Sequence, residues 1–481
     1  MKYQSIRFFS SAIFSIVALP VAAQGLVLNS EDLRTDLNWL NQQGVIQIST
    51  STWPLSSEEI QRALSNAHII SQIQQKVIDS VEKNLGNSND AAKLALFAET
   101  APQNLPQRFG HEQKSQYHLA IELNMGETQW DARLRVNAEK DLIIDNDQDI
   151  NIEGSYLAGK LWNQWLVAGQ IPTYWGPGHD GSLIRGDASR PIYGFTVQRA
   201  NQKAFETKWL SWIGSWQYQA FAGQLDDYEV IPNAKLLGFR VTVQPLPYIE
   251  LGASRTLQWG GESRSESLSN LWEAIKGNDN FDDGDQDKSN QIAGLDARLD
   301  FYQWLQIPLS LYGQFVGEDE AGFLPAKKMY LAGVDYSSQI KYMPYQVYAE
   351  WVDTQTNGSP QSISYNHYIY TDGYYQHGFP LGHAIGGDGQ MYSFGGSIHF
   401  DKVNRLNGRV LLAKVNKSDM MLNQAFRQKD EIRALDLTWT HSIAPNIPLK
   451  LNGWISDSDL RGADNGVSLA VEIPIDSLFG Y

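Results

Sequence analysis

A strict two-residue alternation of apolar and polar side chains runs through residues 115–139, and it restricts the possible folds more than any other feature of the sequence. In the first half the apolar side chains occupy the odd positions: Tyr117, Leu119, Ile121, Leu123 and Met125. After residue 128 they move to the even positions. A strand with one apolar and one charged face fits two architectures. Either the apolar face packs on a protein core, or it meets lipid while the polar face lines a lumen.

The N-terminus has the layout of an export signal. Lys2 and Arg7 precede an apolar run over residues 8–19, and Val-Ala-Ala at 21–23 matches a signal peptidase site. A retained membrane anchor is the alternative, which the short apolar run and the cleavage motif disfavour. We predict a signal peptide over residues 1–23, cleaved after Ala23. The remaining chain has no stretch of ~18 apolar residues that would form a membrane helix.

Residues 24–90 show a helical period instead. The first predicted helix has apolar side chains on one face, at Leu33, Leu37 and Leu40. Asn29 or Ser30 is placed to cap it. Residues 56–59 read as a capping box for a second helix, and a third is predicted from about residue 69 to residue 84.

The C-terminal segment returns to the two-residue alternation and ends on an aromatic residue. Its apolar face comprises Val467, Leu469, Val471, Ile473, Ile475, Phe479 and Tyr481. A terminal aromatic on such a strand resembles the recognition signal of outer-membrane barrel proteins, and a ring with a polar tip suits a membrane interface. An edge strand of a soluble sandwich is the alternative.

Loop lengths test the barrel, because bacterial barrels have short periplasmic turns and long outer loops. With Tyr481 at the periplasmic end, the predicted outer loops are 101–114, 140–150, 172–202, 225–234, 259–290, 317–328, 355–390, 417–429 and 458–465. These hairpins predict a mainly β chain, a transmembrane antiparallel β-barrel of about 18 strands. The barrel would span residues 91–481, and residues 24–90 would form a small α-helical bundle on the periplasmic side. The count requires residues 191–199 to lie within a loop.

Composition excludes several classes of function. The formal net charge of -16 disfavours nucleic acid, whose binders carry a basic patch. The absence of cysteine excludes disulfides and thiolate metal sites. The sequence contains no G-x-S-x-G elbow, H-E-x-x-H pair or phosphate loop, so we expect neither an enzyme nor a cofactor. An outer-membrane hydrolase would need a Ser–His or paired-carboxylate site, which the spacing does not support.

Two acidic segments, 145–149 and 282–287, have alternating carboxylates that suit a hard cation such as calcium. Neither ends in the glutamate of the helix–loop–helix calcium motif, so solvated acidic loops are the preferred interpretation. His377 and His383 are separated by Gly and Pro and lack metal-ligand spacing. We predict no metal site.

Two outer loops combine aromatic and polar side chains as sugar-binding surfaces do, since aromatic faces stack on sugar rings and polar groups bond their hydroxyls. The predicted polysaccharide-binding residues are Tyr174, Trp175, His179, Asp180, Arg185, Arg190, Tyr365, His367, Tyr368, Tyr370, Tyr374 and Tyr375. Alternatively, both loops fold inward and plug the pore, with their aromatic rings packed on one another. The two interpretations are compatible.

Residues 32–60, 156–184 and 204–227, including WGPG-x-DGSLI at 175–184, resemble the capsule assembly Wzi family of outer-membrane proteins. The resemblance implies a barrel of about 18 strands, a helical bundle at its periplasmic mouth and outer loops that block the pore. It also implies a lectin-like protein that binds capsular polysaccharide and organises the capsule.

We therefore expect a monomeric outer-membrane protein whose partners are capsular or other surface polysaccharide and outer-membrane lipid or lipopolysaccharide, with no nucleic acid. A channel for sugars or other small solutes is the alternative, because a barrel of about 18 strands encloses an aqueous lumen unless loops fill it.

Overall fold

The computed structural model describes residues 25–479, except 89, 147, 227, 277–288, 322–323 and 357–362. The predicted signal peptide with its cleavage site, Tyr481 and the acidic segment 282–287 therefore lie outside the described residues. Within the described residues, no helix is both long and apolar enough to span a membrane.

Eighteen antiparallel strands of the described chain close into a barrel, which confirms the predicted fold and strand count. They are Ala92–Glu99, Ser115–Glu127, Trp130–Leu142, Tyr156–Leu161, Gln164–Gln170, Tyr193–Arg199, Ser215–Gln224, Lys235–Leu246, Ile249–Trp259, Ser289–Asp300, Leu309–Ala321, Leu324–Ile340, Met343–Asp353, Gln390–His399, Asn404–Val415, Asp430–Ala444, Ile447–Ser458 and Gly462–Pro474. The two-residue segment Ile150–Asn151 extends the fourth strand along the third. Pairing of the first strand with the last closes the sheet.

The side chains of the barrel strands are apolar outside and polar inside. In Ser115–Glu127, the five apolar side chains at the odd positions are exposed, whereas Glu122 and Asn124 are buried. In Trp130–Leu142, Asp131 is fully buried and Leu134 is exposed. In a soluble protein the apolar face of a strand is buried, whereas here it is exposed and the polar face is buried. The barrel therefore has a lipid-facing wall around a polar lumen. We name the exposed outer side chains the apolar belt; its members include Leu119, Leu134, Phe239, Leu251 and Leu295.

Most predicted long and short connections alternate along the barrel, but two predicted outer loops were wrong. The strands on either side extend into 317–328 and 458–465 and leave only residues 322–323 and 459–461 between them. Two-residue turns at 128–129, 162–163, 247–248, 341–342 and 445–446 define the short-turn end. The opposite, long-loop end carries the connections 100–114, 143–155, 171–192, 225–234, 260–288, 354–389 and 416–429. The connection 260–288 includes a helix, Leu268–Lys276.

The placement of residues 191–199 in a loop was wrong. Tyr193–Arg199 is the sixth strand, antiparallel to Gln164–Gln170 on one side and Ser215–Gln224 on the other. The strand has only seven residues and follows Pro191 almost directly, so its alternation is hard to separate from the preceding loop. The total remains eighteen because residues 200–214 form a connection at the short-turn end, which includes the 3-10 turn Ser211–Ile213.

The last strand is also shorter than predicted. It ends at Pro474, and Ile475–Phe479 forms a short helix, so the predicted strand does not extend past Pro474. Proline has no N–H to donate to a β-ladder, and its pairing with Lys93 is the last between these strands.

Three helices precede the barrel: α1 (Glu31–Gln42), α2 (Ser57–Ser65) and α3 (Gln72–Ser88). Ser30 caps α1, since its Oγ accepts from Leu33 N at 3.4 Å. The predicted capping box of α2 was wrong. Ser56 Oγ makes no cap bond and instead accepts from Trp165 Nε1 at 3.3 Å.

The helical segment packs into the short-turn end of the lumen. Trp39 Nε1 donates to Ser338 O at 3.0 Å, and Arg405 Nη1 on the wall donates to Asp36 Oδ1 at 3.1 Å. These contacts attach the segment to the inner wall. The periplasmic location of this end and a domain boundary near residue 90 remain predictions.

Arg240 joins the loop between α1 and α2 to the wall. Its fully buried guanidinium donates to both carboxylate oxygens of Asp296, at 2.6 and 2.9 Å. It also donates to Thr52 Oγ1 at 2.8 Å and Ser51 Oγ at 3.0 Å. Removing one partner of a buried ion pair leaves an uncompensated charge.

We expect Arg240→Ala to lower the free energy of unfolding by ~3–5 kcal/mol, because Asp296 would stay buried without its partner. Arg240→Ala/Asp296→Ala should recover most of that loss, since it leaves no unpaired charge. Urea unfolding midpoints in detergent micelles measure both variants. Equal losses in the single and double variants would contradict this interpretation.

Candidate functional site at the long-loop end

Loop 171–192 enters the lumen and meets the N-terminal segment there. Tyr174–Trp175 pairs antiparallel with Thr52–Trp53. The guanidinium of Arg34 on α1 donates to Gly178 O at 2.7 Å. The lumen is therefore filled from both ends, as the plugged alternative proposed.

His179 and Asp180 connect this loop to the barrel wall. The His179 ring stacks on Tyr348 with centroids 4.3 Å apart, and its Nε2 lies 3.0 Å from Asp335 Oδ2. Asp180 accepts from Arg409 Nη1 at 2.7 Å and from Tyr348 OH at 3.0 Å. Burial acts to raise the pKa of Asp180, but the charge of Arg409 and the hydrogen bonds from Arg409 and Tyr348 together lower it below its usual range. Asp180 is thus kept ionised where loop 171–192 fills the lumen.

Loop 354–389 lies over the first loop. Tyr365 OH donates to Leu183 O at 2.7 Å, and Tyr374 OH donates to Ile184 O at 2.8 Å. Both rings are fully or almost fully buried. The tyrosine hydroxyls therefore bond backbone carbonyls of the neighbouring loop, and the two loops form one packed layer.

Of the twelve residues predicted to bind polysaccharide, Tyr368 is exposed, with 63% of its surface accessible. His179 is partly buried. The other ten are buried: Tyr174, Trp175, Asp180, Arg185, Arg190, Tyr365, His367, Tyr370, Tyr374 and Tyr375. The structure brings the two loops together but turns nearly all of their aromatic rings inward.

A groove of about 610 Å³ opens at the long-loop end, where four long connections meet. Ligand pockets commonly measure ~300–1,000 Å³. The lining is mostly polar and consists of Asp145, Asn146, Gln148, Ile150, Asn151, Ile152, Glu153, Gln170, Arg190, Asp226 and His377. The sequence prediction included only Arg190, because side chains from separate loops give no local pattern.

Arg190 and Glu153 also line a smaller cavity of about 60 Å³, so the groove continues toward the lumen. Arg190 Nη2 donates to Glu139 Oε2 at 2.8 Å, and its Nη1 pairs with Glu153. The buried Nε of Arg190 has no hydrogen-bond partner. Burial raises the pKa of Glu153 despite the nearby arginine.

Among the described residues, no group of three or more His, Asp or Glu side chains is arranged to hold a metal ion. Asp145 of the first acidic segment instead lies 3.8 Å from Arg427 Nη2.

From the burial of His383 we infer that loop 354–389 is sensitive to pH. The His383 ring is fully buried, its Nδ1 accepts from Ile385 N at 3.3 Å, and burial lowers its pKa to about 4. In an opened loop the imidazole regains its usual pKa of 6.5.

We expect the closed loop to lose stability as the pH falls from 6.5 to about 4, because only the opened state gains the proton in that window. The free energy that favours the closed loop falls by up to ~1.4 kcal/mol per pH unit. Hydrogen exchange of residues 363–389, corrected for intrinsic rates, measures it. His383→Asn keeps an acceptor but does not titrate, so its opening should vary less with pH. Equal pH dependence in the two proteins would refute this role.

Comparisons with known proteins agree with this architecture. The family model for capsule assembly protein Wzi matches residues 83–469. A Klebsiella pneumoniae relative, described as an uncharacterized 55.8 kDa protein in the cps region, is 41% identical over 463 residues, covering 96% of this chain and 92% of that protein. The solved Wzi of Escherichia coli is described as a carbohydrate-binding outer-membrane β-barrel involved in group 1 capsule assembly. It is 41% identical with a TM-score of 0.87, over 94% of this chain and 99% of that one. The chain belongs to the capsule assembly Wzi family.

Proposed function

We propose that this outer-membrane barrel binds capsular polysaccharide at its long-loop end and helps attach or organise the capsule at the cell surface. The groove of about 610 Å³ at that end is the observation that carries the proposal. The apolar belt supports the membrane location, and family membership supports the ligand class. In this arrangement the long loops are extracellular and the helical segment is periplasmic.

The groove and its surroundings have the chemistry that a polysaccharide requires. The side chains of Asn146, Gln148 and Asp226 offer hydrogen bonds to sugar hydroxyls. Elsewhere at the long-loop end, Tyr368 in loop 354–389 presents an exposed ring that would stack on the apolar face of a sugar. The buried aromatic residues of the two loops contribute indirectly, by fixing the loops in place.

The proposal is one of binding without catalysis, by a monomer surrounded by outer-membrane lipid and lipopolysaccharide. Binding without catalysis is supported by the ionisable side chains of loop 171–192, which are paired with ionisable side chains around them. His179 is paired with Asp335, and Arg190 with Glu139 and Glu153.

The groove is tested by Asn146→Ala/Gln148→Ala/Asp226→Ala in the full-length chain, with capsular polysaccharide purified from the host as the probe. Each lost hydrogen bond is worth ~0.5–1.5 kcal/mol, so the triple variant should bind roughly tenfold more weakly or worse. Tyr368→Ala should also weaken binding, through lost stacking. Surface plasmon resonance on immobilised protein measures each affinity.

Asp457→Ala/Asp459→Ala is the matched control, because it removes exposed carboxylates near the same end but outside the groove. Wild-type affinity in the groove variant and in Tyr368→Ala would exclude this binding site. Absence of binding by the unmodified protein would overturn the function itself. In cells, loss of the protein should release capsule into the medium without stopping its synthesis.

A further inference from the structure

The helix Leu268–Lys276 lies on the outside of the barrel wall, near the long-loop end. Two outward-facing wall side chains bond its last carbonyls. Arg255 Nη1 donates to Ile275 O at 2.8 Å, and Gln291 Nε2 donates to Ala274 O at 3.0 Å. The strand neighbour of Arg255, Ser254, instead bonds Arg240 in the lumen. Since side chains alternate along a strand, Arg255 faces outward.

Apolar contacts hold the helix in the same position. Ala274 is fully buried and clusters with Leu257 and Trp259, which share the outward face of Arg255 on the strand Ile249–Trp259. Leu271 packs against the same cluster. One face of the helix therefore covers the upper outer wall.

A second face of the helix is apolar and exposed. At 3.6 residues per turn, Leu268, Trp272 and Ile275 lie side by side, with 82%, 60% and 44% of their surfaces accessible. The third face is polar and includes Ser269, Glu273 and Lys276, and Lys276 Nζ lies 2.6 Å from Glu273 Oε1. The helix thus presents different chemistry to the wall, to one side and to the other.

The exposed apolar face lies close to the apolar belt, because Arg255 bonds the helix at Ile275 O and pairs with Phe239 on the neighbouring strand. Phe239 is the cross-strand partner of Arg255, and its outward ring is 50% exposed. Leu295, on the next strand, is also exposed on the belt. A face of Leu, Trp and Ile beside a lipid-facing wall has the composition of an interfacial helix, and Trp favours the headgroup level of a membrane.

We propose that the helix Leu268–Lys276 lies in the interface of the outer leaflet, with Leu268, Trp272 and Ile275 inserted among lipid acyl chains. Its polar face is turned to the aqueous side. The helix anchors the described part of the connection 260–288, residues 260–276, to the membrane surface. This inference does not depend on polysaccharide binding.

The absence of cysteine from the sequence permits a direct test with single nitroxide labels. Trp272→Cys and Ile275→Cys report on the apolar face, and Ser269→Cys and Lys276→Cys are matched controls on the polar face. Each full-length protein is labelled and reconstituted into bilayers that contain lipopolysaccharide. Electron paramagnetic resonance then compares collisions with oxygen, which concentrates in lipid, and with a water-soluble nickel chelate.

The expected ratio of oxygen to nickel collisions is several-fold higher at positions 272 and 275 than at 269 and 276. Nickel-dominated collisions at all four positions would place the helix in water and overturn the proposal. Protection from both reagents at 272 and 275 would mean that protein covers the face, which also overturns it. Spin–spin broadening that disappears on dilution with unlabelled protein would identify a second copy as the occupant instead.

Discussion

Charged side chains on the inner wall of the barrel need partners within the lumen. Some pair with each other on the wall, and others bond the N-terminal helical segment or loop 171–192, which fill the lumen. Arg240 and Asp296 pair with each other on the wall, and Arg240 also bonds the loop before α2. Arg409 on the wall holds Asp180 of loop 171–192. Because unpaired buried charges are strongly destabilising, the wall chemistry favours a lumen filled from both ends. The proposed ligand contacts consequently lie at the surface of the long-loop end.

Most of the barrel was predictable because lipid outside and a polar lumen inside impose a two-residue period on every strand. The exposed odd positions of Ser115–Glu127 show this directly. Connection lengths then assigned the two ends. The prediction failed at Tyr193–Arg199, where seven residues carry too short an alternation to distinguish a strand from its loop. It failed again after Pro474, because the pattern of apolar residues does not report where hydrogen bonding ends.

The candidate site was less predictable, since sugar binding and internal packing use the same residue types. The hydroxyls of Tyr365 and Tyr374 bond backbone carbonyls, and composition does not distinguish such a partner from a sugar. The groove poses a different difficulty. Asn151, Arg190 and Asp226 lie in three separate connections and meet only when the barrel closes. The sequence and the structure point to the same end of the barrel, but only the structure shows the groove.

We infer that the lumen is blocked, so that the barrel binds at its surface and does not conduct. Conductance of the purified full-length protein in a planar lipid bilayer tests this most directly. We expect no measurable conductance from the full-length protein under sustained voltage, with a known porin in the same lipid as the positive control. Steady single-channel steps from the full-length protein would contradict this inference and favour a solute channel.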